Sequence, residues 1–174
     1  VKKYKIFEQI IIYSGSNATS VASSFARHFG EESSSFRGKR ISGDDLFLNT
    51  ALQKDPLGVS FNALPNIFDL QSRRLKRELS LVGLDLKKDV ENSFSDNASL
   101  DNVLTILESG KPSEITVEKV GAAYDAADVA VSLFIEWILK NGTQYNHEYG
   151  LMNLSHKVAQ AEIDKINHTL TAQK

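Results

Sequence analysis

Apolar positions along the chain alternate between β-like runs and helix-spaced stripes. Phe7-Glu8-Gln9-Ile10-Ile11-Ile12-Tyr13 is rich in β-branched and aromatic residues and predicts a strand. A run of small residues follows, Ser14-Gly15-Ser16-Asn17-Ala18-Thr19-Ser20. Val21, Phe25 and Phe29 then recur at every fourth position, with Ala22 and Ala26 beside them, which predicts one apolar helix face. Residues 30–40 read as a loop by composition, with Arg37, Lys39 and Arg40 in water. Ser42 or Asp44 is the expected cap of a helix whose buried side carries Leu48 and Leu52, and Asp55-Pro56 stops it. Residues 57–61 predict a short strand and 62–66 a turn, while 67–75 fit no single template.

Farther on, 79–86 is partly alternating and predicts a strand, whereas 87–95 is polar and irregular. Ser99 should cap a helix in which Leu100, Val103, Leu104 and Leu107 follow the i, i+3, i+4, i+7 pattern, with Gly110 and Pro112 ending it. Residues 114–120 alternate strongly, predicting a strand with one wet face. Between 126 and 140 almost every turn is apolar, including Val129, Leu133, Phe134, Trp137 and Ile138, so a largely buried helix is expected there, ended by Asn141-Gly142. A short helix is expected over 143–149. A last one, capped by Ser155, carries Ala159, Ile163, Ile166 and Leu170 on one stripe.

These elements describe an α/β chain: a lobe over residues 1–124 and a helical segment over 125–174 that packs on it or on a missing lobe. A length of 174 residues suits a single core burying roughly 70% of the unfolded surface. With 20 basic and 22 acidic residues the net charge is −2, so no whole-molecule field draws nucleic acid or an anionic membrane. The absence of cysteine removes disulfides, thiol nucleophiles and cysteine metal sites. No apolar run approaches the ~18 residues that span a bilayer. The chain starts at Val1 without a signal peptide, which suggests a removed segment or a piece of a larger protein.

Strand, small-residue loop and helix N-terminus form the geometry that presents free backbone N–H groups and a positive dipole end to an anion. The loop is neither a Walker A sequence nor G-x-G-x-x-G, and Asn17 and Ala18 stand in the wrong places for a nucleophile elbow. An ordinary cap by Ser16 or Asn17 competes with an anion cradle. The basic cluster Arg73, Arg74, Lys76 and Arg77 reads as a solvated face or as a docking patch. None of His28, His147, His156 and His168 has metal-ligand spacing, and His147-Glu148 reads as a helix surface pair. No catalytic constellation stands out and no cofactor is implied.

Ser14-Gly15-Ser16-Asn17-Ala18-Thr19-Ser20 before a helix resembles the second anion loop of the phosphate-binding proteins that serve ABC transporters. Ser42-Gly43-Asp44, then Asp55-Pro56-Leu57-Gly58-Val59-Ser60-Phe61, is similar to that family's helix leading to a "G-x-I-G-Y" strand. Residues 134–145 followed by Gly150-Leu151-Met152-Asn153-Leu154 resemble its closing pattern, "F-x-x-W-x-L-x-x-G-Q". The resemblance implies the second lobe of a periplasmic-binding-protein type 2 architecture, a mixed sheet flanked by helices with C-terminal helices. It implies phosphate or a similar oxyanion held by Ser14, Gly15, Ser16, Asn17, Ala18, Thr19 and Ser20 for delivery to ABC permease subunits. It also implies a periplasmic or extracytoplasmic location, with a membrane anchor in a removed N-terminal segment as one form. Where the family carries an arginine before the loop, this chain has Ile11, Ile12 and Tyr13, which leaves Arg37 or Arg40 as replacements. A missing N-terminal lobe, or self-association through an exposed lobe face, is the other expected partner. Two other readings are an envelope interaction domain without ligand, using the Arg73–Arg77 cluster or the half-site, and an enzyme acting on a phosphorylated small molecule.

Overall fold

A computed structural model describes residues 9–16, 21–43, 45–110, 115 and 117–172. It is a mixed α/β structure with a small parallel sheet flanked by helices. Strand β1 (Ile11–Gly15) is central, with β2 (Gly38–Ile41) on one side and β3 (Gly58–Ser60) on the other, all parallel. Helix α1 (Val21–His28) connects β1 to β2, and α2 (Leu46–Leu52) returns from β2 past β1 to β3.

The register assigns the two faces of the sheet. Tyr13 pairs with Lys39 and Ser60; its hydroxyl donates to Asp55 Oδ2 at 2.9 Å, and the Lys39 ammonium lies 5.7 Å from its ring centroid. Asp55 follows α2, so this is the α2 face. Ile12 and Ser14 look the other way, toward α1. There Ala22, Ser23 and Ala26 are buried, and Phe25 stacks on Phe61 at 4.2 Å, with Phe36 5.5 Å from Phe61. The buried line of α1 is therefore turned from the expected Val21–Phe25–Phe29 line. Small side chains allow the helix to approach the sheet, Phe25 closes its edge, and Phe29 is left exposed.

Strand β2 corrects the reading of 30–40 as a loop. Gly-Lys-Arg-Ile needs partners on one side only, and charged side chains suit an exposed edge. Gly38 is required by packing, because a Cβ there would stand 1.8 Å from the Ile12 carbonyl oxygen. The first strand is also displaced from its expected place. It takes in Ser14 and Gly15, which pair with Arg40 and Ile41, so two residues expected in the loop are strand residues.

A second core lies beyond β3. Helix α3 (Leu64–Ile67) runs into the hairpin β4 (Phe68–Asp69) and β5 (Arg74–Leu75), which settles the ambiguous 67–75 stretch. Phe68, Leu75, Ala98, Leu100, Val103 and Leu104 form its centre, with Ile67, Phe94 and Met152 packed against it. Helix α4 (Lys88–Glu91) is a single turn before α5 (Leu100–Glu108), where the Ser99 hydroxyl accepts from the Asn102 amide as expected of a cap. Each fully buried Leu or Val on α5 is worth about 1.5–3 kcal/mol.

Two expected strands are irregular. Over 79–86 the backbone makes no ladder: Leu79 N donates to Lys76 O, Leu86 N to Leu84 O and Leu81 N to the Asp96 side chain, while Leu79 and Leu81 pack on the second core. Residues 117–120 form no ladder and Val120 is 89% exposed; Glu114 and Thr116 lie outside the described residues. Alternation without a neighbouring strand does not make a sheet. Helices α6 (Val129–Asn141), α7 (Thr143–Asn146) and α8 (His156–Ala172) complete the chain. Helix α8 packs along α6 and buries Ile163 and Ile166 of the expected stripe. Helix α6 is not largely buried, since only Ser132 is enclosed. The helix ends at Asn141 as expected, and its cap Gly142 has helical dihedral angles, its amide donating to Ile138 O at 2.7 Å.

Candidate anion site at the end of the central strand

Three loops leave the same edge of the sheet, after β1, β2 and β3. The connection from β1 goes outward to β2, while β3 stands on the other side of β1. Neighbouring connections that part in opposite directions leave a crevice at the carboxyl ends of the strands, the usual ligand position in an open parallel sheet. Ser14 is 3% exposed and Gly15 is buried, and Ser16 is the exposed residue that follows. The Ser16 amide donates to Ile41 O at 3.0 Å and its hydroxyl to Ser42 Oγ at 3.3 Å, which carries the strand pairing one step past the sheet. Asn17, Ala18, Thr19 and Ser20 lie outside the described residues. Helix α1 starts immediately after them.

The loops after β2 and β3 are tied together at this edge. Asp45, not Ser42, holds the N-cap position of α2, and Ser42 is turned toward Ser16. Gly43, at φ 111°, makes the turn between them. Asp44 lies outside the described residues. The Asn62 amide donates to Asp45 O at 2.9 Å and to Asn49 Oδ1 at 3.3 Å, and its carbonyl oxygen accepts from the Ala63 backbone and the Asn66 amide. Buried Asn49 in turn donates to Asn66 O. This amide network ties the start of α2 to the segment after β3.

The two replacement arginines are placed differently. Arg40 is in register with Ser14, one residue from the carboxyl edge, on the exposed outer strand. Arg37 precedes β2 and therefore sits at the opposite end of the sheet. Among the described residues, then, the Ser16 donors are engaged within the protein, Arg40 is the cation near the carboxyl edge, and no imidazole is among the described contacts of Ser14 or Ser16.

The sequence reading missed a second polar assembly. Arg73, at φ 59° in the β4–β5 turn, bonds Asp101 at 2.7 Å and the carbonyls of His147 and Glu148 at 2.6 and 3.2 Å. At the other end of α5, Glu108 Oε1 meets His147 Nε2 at 2.7 Å and accepts from the Asn153 amide at 2.5 Å. His147 is thus joined to Glu108, not to its neighbour Glu148. Together these contacts strap 147–153 across α5. The guanidinium beside Asp101 holds its carboxyl below the usual carboxylate range, and the Ser72 amide does the same for Asp69. Nothing in the spacing marks this strap, because its members are separated by 28 to 75 positions.

Most of the basic cluster is engaged within the protein. Besides Arg73, Arg74 donates to Asn97 O and Lys76 to Asn66 O. No group of three or more His, Asp or Glu side chains suited to a metal occurs among the described residues, and no described helix is long and apolar enough to cross a membrane. The chain matches no family model, and no curated protein or solved structure matches it.

Proposed function

We propose that this chain is the anion-holding lobe of an extracytoplasmic solute-binding module of the phosphate-binding type, which delivers an oxyanion to an ABC permease. One observation carries the reading. The small-residue stretch leaves the carboxyl end of the central parallel strand, where connections part, and leads directly into a helix of two turns. A desolvated oxyanion needs several charge-assisted hydrogen bonds there. The amides and hydroxyls of residues 17–20 supply them, with Arg40 as the cation at the neighbouring register position.

Titration calorimetry with inorganic phosphate tests it. Thr19→Val removes one charge-assisted bond of about 1.5–3 kcal/mol and should weaken binding roughly 10- to 100-fold, while Thr19→Ser should preserve it. Absence of heat at millimolar phosphate overturns the reading.

A second reading is an envelope interaction domain that keeps this architecture without a ligand. It draws on one observation: the Ser16 amide and hydroxyl are already engaged by Ile41 and Ser42.

A further inference from the structure

Helix α6 is apolar on two opposite sides. One side carries buried Ser132 with half-buried Val131, Ile135 and Leu139. The other carries Ala130, Leu133, Phe134, Trp137 and Ile138, all exposed; Phe134 is 58% exposed and Trp137 49%. At 3.6 residues per turn these five fall in one stripe about 140° wide. Past the cap Gly142, whose dihedral angles are helical, α7 adds exposed Tyr145. No charged residue of α6 interrupts it. Lys140 stands at its margin, paired with Glu136 at 2.5 Å.

We infer that this stripe is a homodimer interface, in which α6 lies antiparallel against α6 of a second copy. Three features favour a second copy over an unlike partner. The rings of Phe134 and Trp137 lie parallel, 6.4 Å apart and tilted by only 7°, near the middle of the helix. A two-fold axis through that point sets each ring pair against its equivalent, the self-complementary arrangement a two-fold interface requires. The stripe is neutral, so repeating it brings no like charges together. Its half-exposed large side chains offer ~100 Å² each, which totals ~1,000 Å² over two copies, at the lower limit for a specific interface. An interface of that size suits a reversible association. It does not depend on the phosphate reading.

Sedimentation equilibrium of the 174-residue chain, from micromolar to hundreds of micromolar, tests the inference. The average mass should climb from 19.3 kDa toward twice that value. Emission from Trp137, the sole tryptophan, should move to shorter wavelength along the same concentration curve. Phe134→Glu, at an exposed position, should leave the far-ultraviolet circular dichroism intact and weaken association by about 30-fold or more, whereas Phe134→Leu should retain most of it. A constant 19.3 kDa at every concentration, as expected if an unlike partner covers the stripe, overturns the inference. So does association that Phe134→Glu leaves unchanged.

Discussion

Helices α5 and α6 begin alike and end in opposite surroundings. Each has a side-chain cap, the Ser99 hydroxyl on the Asn102 amide and the Asp128 carboxylate on the Ala130 and Val131 amides. Each is rich in large apolar residues. Yet Leu100 and Leu104 on α5 are entirely buried, while Leu133, Phe134 and Trp137 on α6 stand about half in water. The β4–β5 hairpin covers α5 on one side, and a segment strapped down by Arg73 and Glu108 covers another. Helix α6 has α8 along one side only, and that leaves its second stripe bare. Apolar content states how much covering a helix needs; the contacts of its neighbours decide whether it receives it.

Truncating one leucine on each helix should separate the two most widely. Leu104→Ala should cost about 2–5 kcal/mol in urea unfolding, because it opens a cavity in a filled core, whereas Leu133→Ala in the monomer should cost under ~1 kcal/mol. Equal losses would mean that α6 is as enclosed as α5. Next comes the strap. Arg73→Ala leaves two carbonyls and the Asp101 carboxylate without their donor and should cost about 1–2 kcal/mol, against at most ~0.5 kcal/mol for Lys140→Ala in the i, i+4 pair of α6. The caps sharpen the comparison by being alike: Ser99→Ala and Asp128→Ala should each cost ~1 kcal/mol, so capping is not what separates the two helices.

The smallest effect is one of pH. Asp101 and Asp69 have lowered folded-state values, so the stability they add is present above the ordinary carboxylate range. It is lost as the pH falls below about 4 and these groups protonate. Both side chains are solvated, which keeps the effect slight. The urea midpoint should decline over that acid range, and Arg73→Ala should flatten the part that belongs to Asp101.

Local physics made much of the architecture legible in the sequence. The α5 pattern and its Ser99 cap, the Ile163–Ile166 line of α8 and the Ile11–Tyr13 part of β1 all follow from spacing within one turn or one strand. What was not legible depended on distant partners. Gly38-Lys39-Arg40-Ile41 reads as loop because an edge strand needs few apolar residues, and its pairing with β1 is set some 26 residues away. The alternation at 117–120 had no strand to meet. The Arg73–His147–Glu108 strap joins residues whose spacing carries no signal. At the candidate site, the order of strand, small-residue stretch and helix was legible, since Ser14 and Gly15 close the central strand and α1 starts at Val21. Sequence did not distinguish Arg40 from Arg37, because only the parallel register sends one to the carboxyl edge and the other away from it.

Amide hydrogen exchange across residues 14–24, with and without millimolar phosphate, probes the proposed anion site at the amides themselves. Phosphate should slow exchange at the backbone amides of residues 17–20 and leave Ser16, already bonded to Ile41, unchanged. Exchange at residues 17–20 that is identical with and without phosphate would contradict an anion site there.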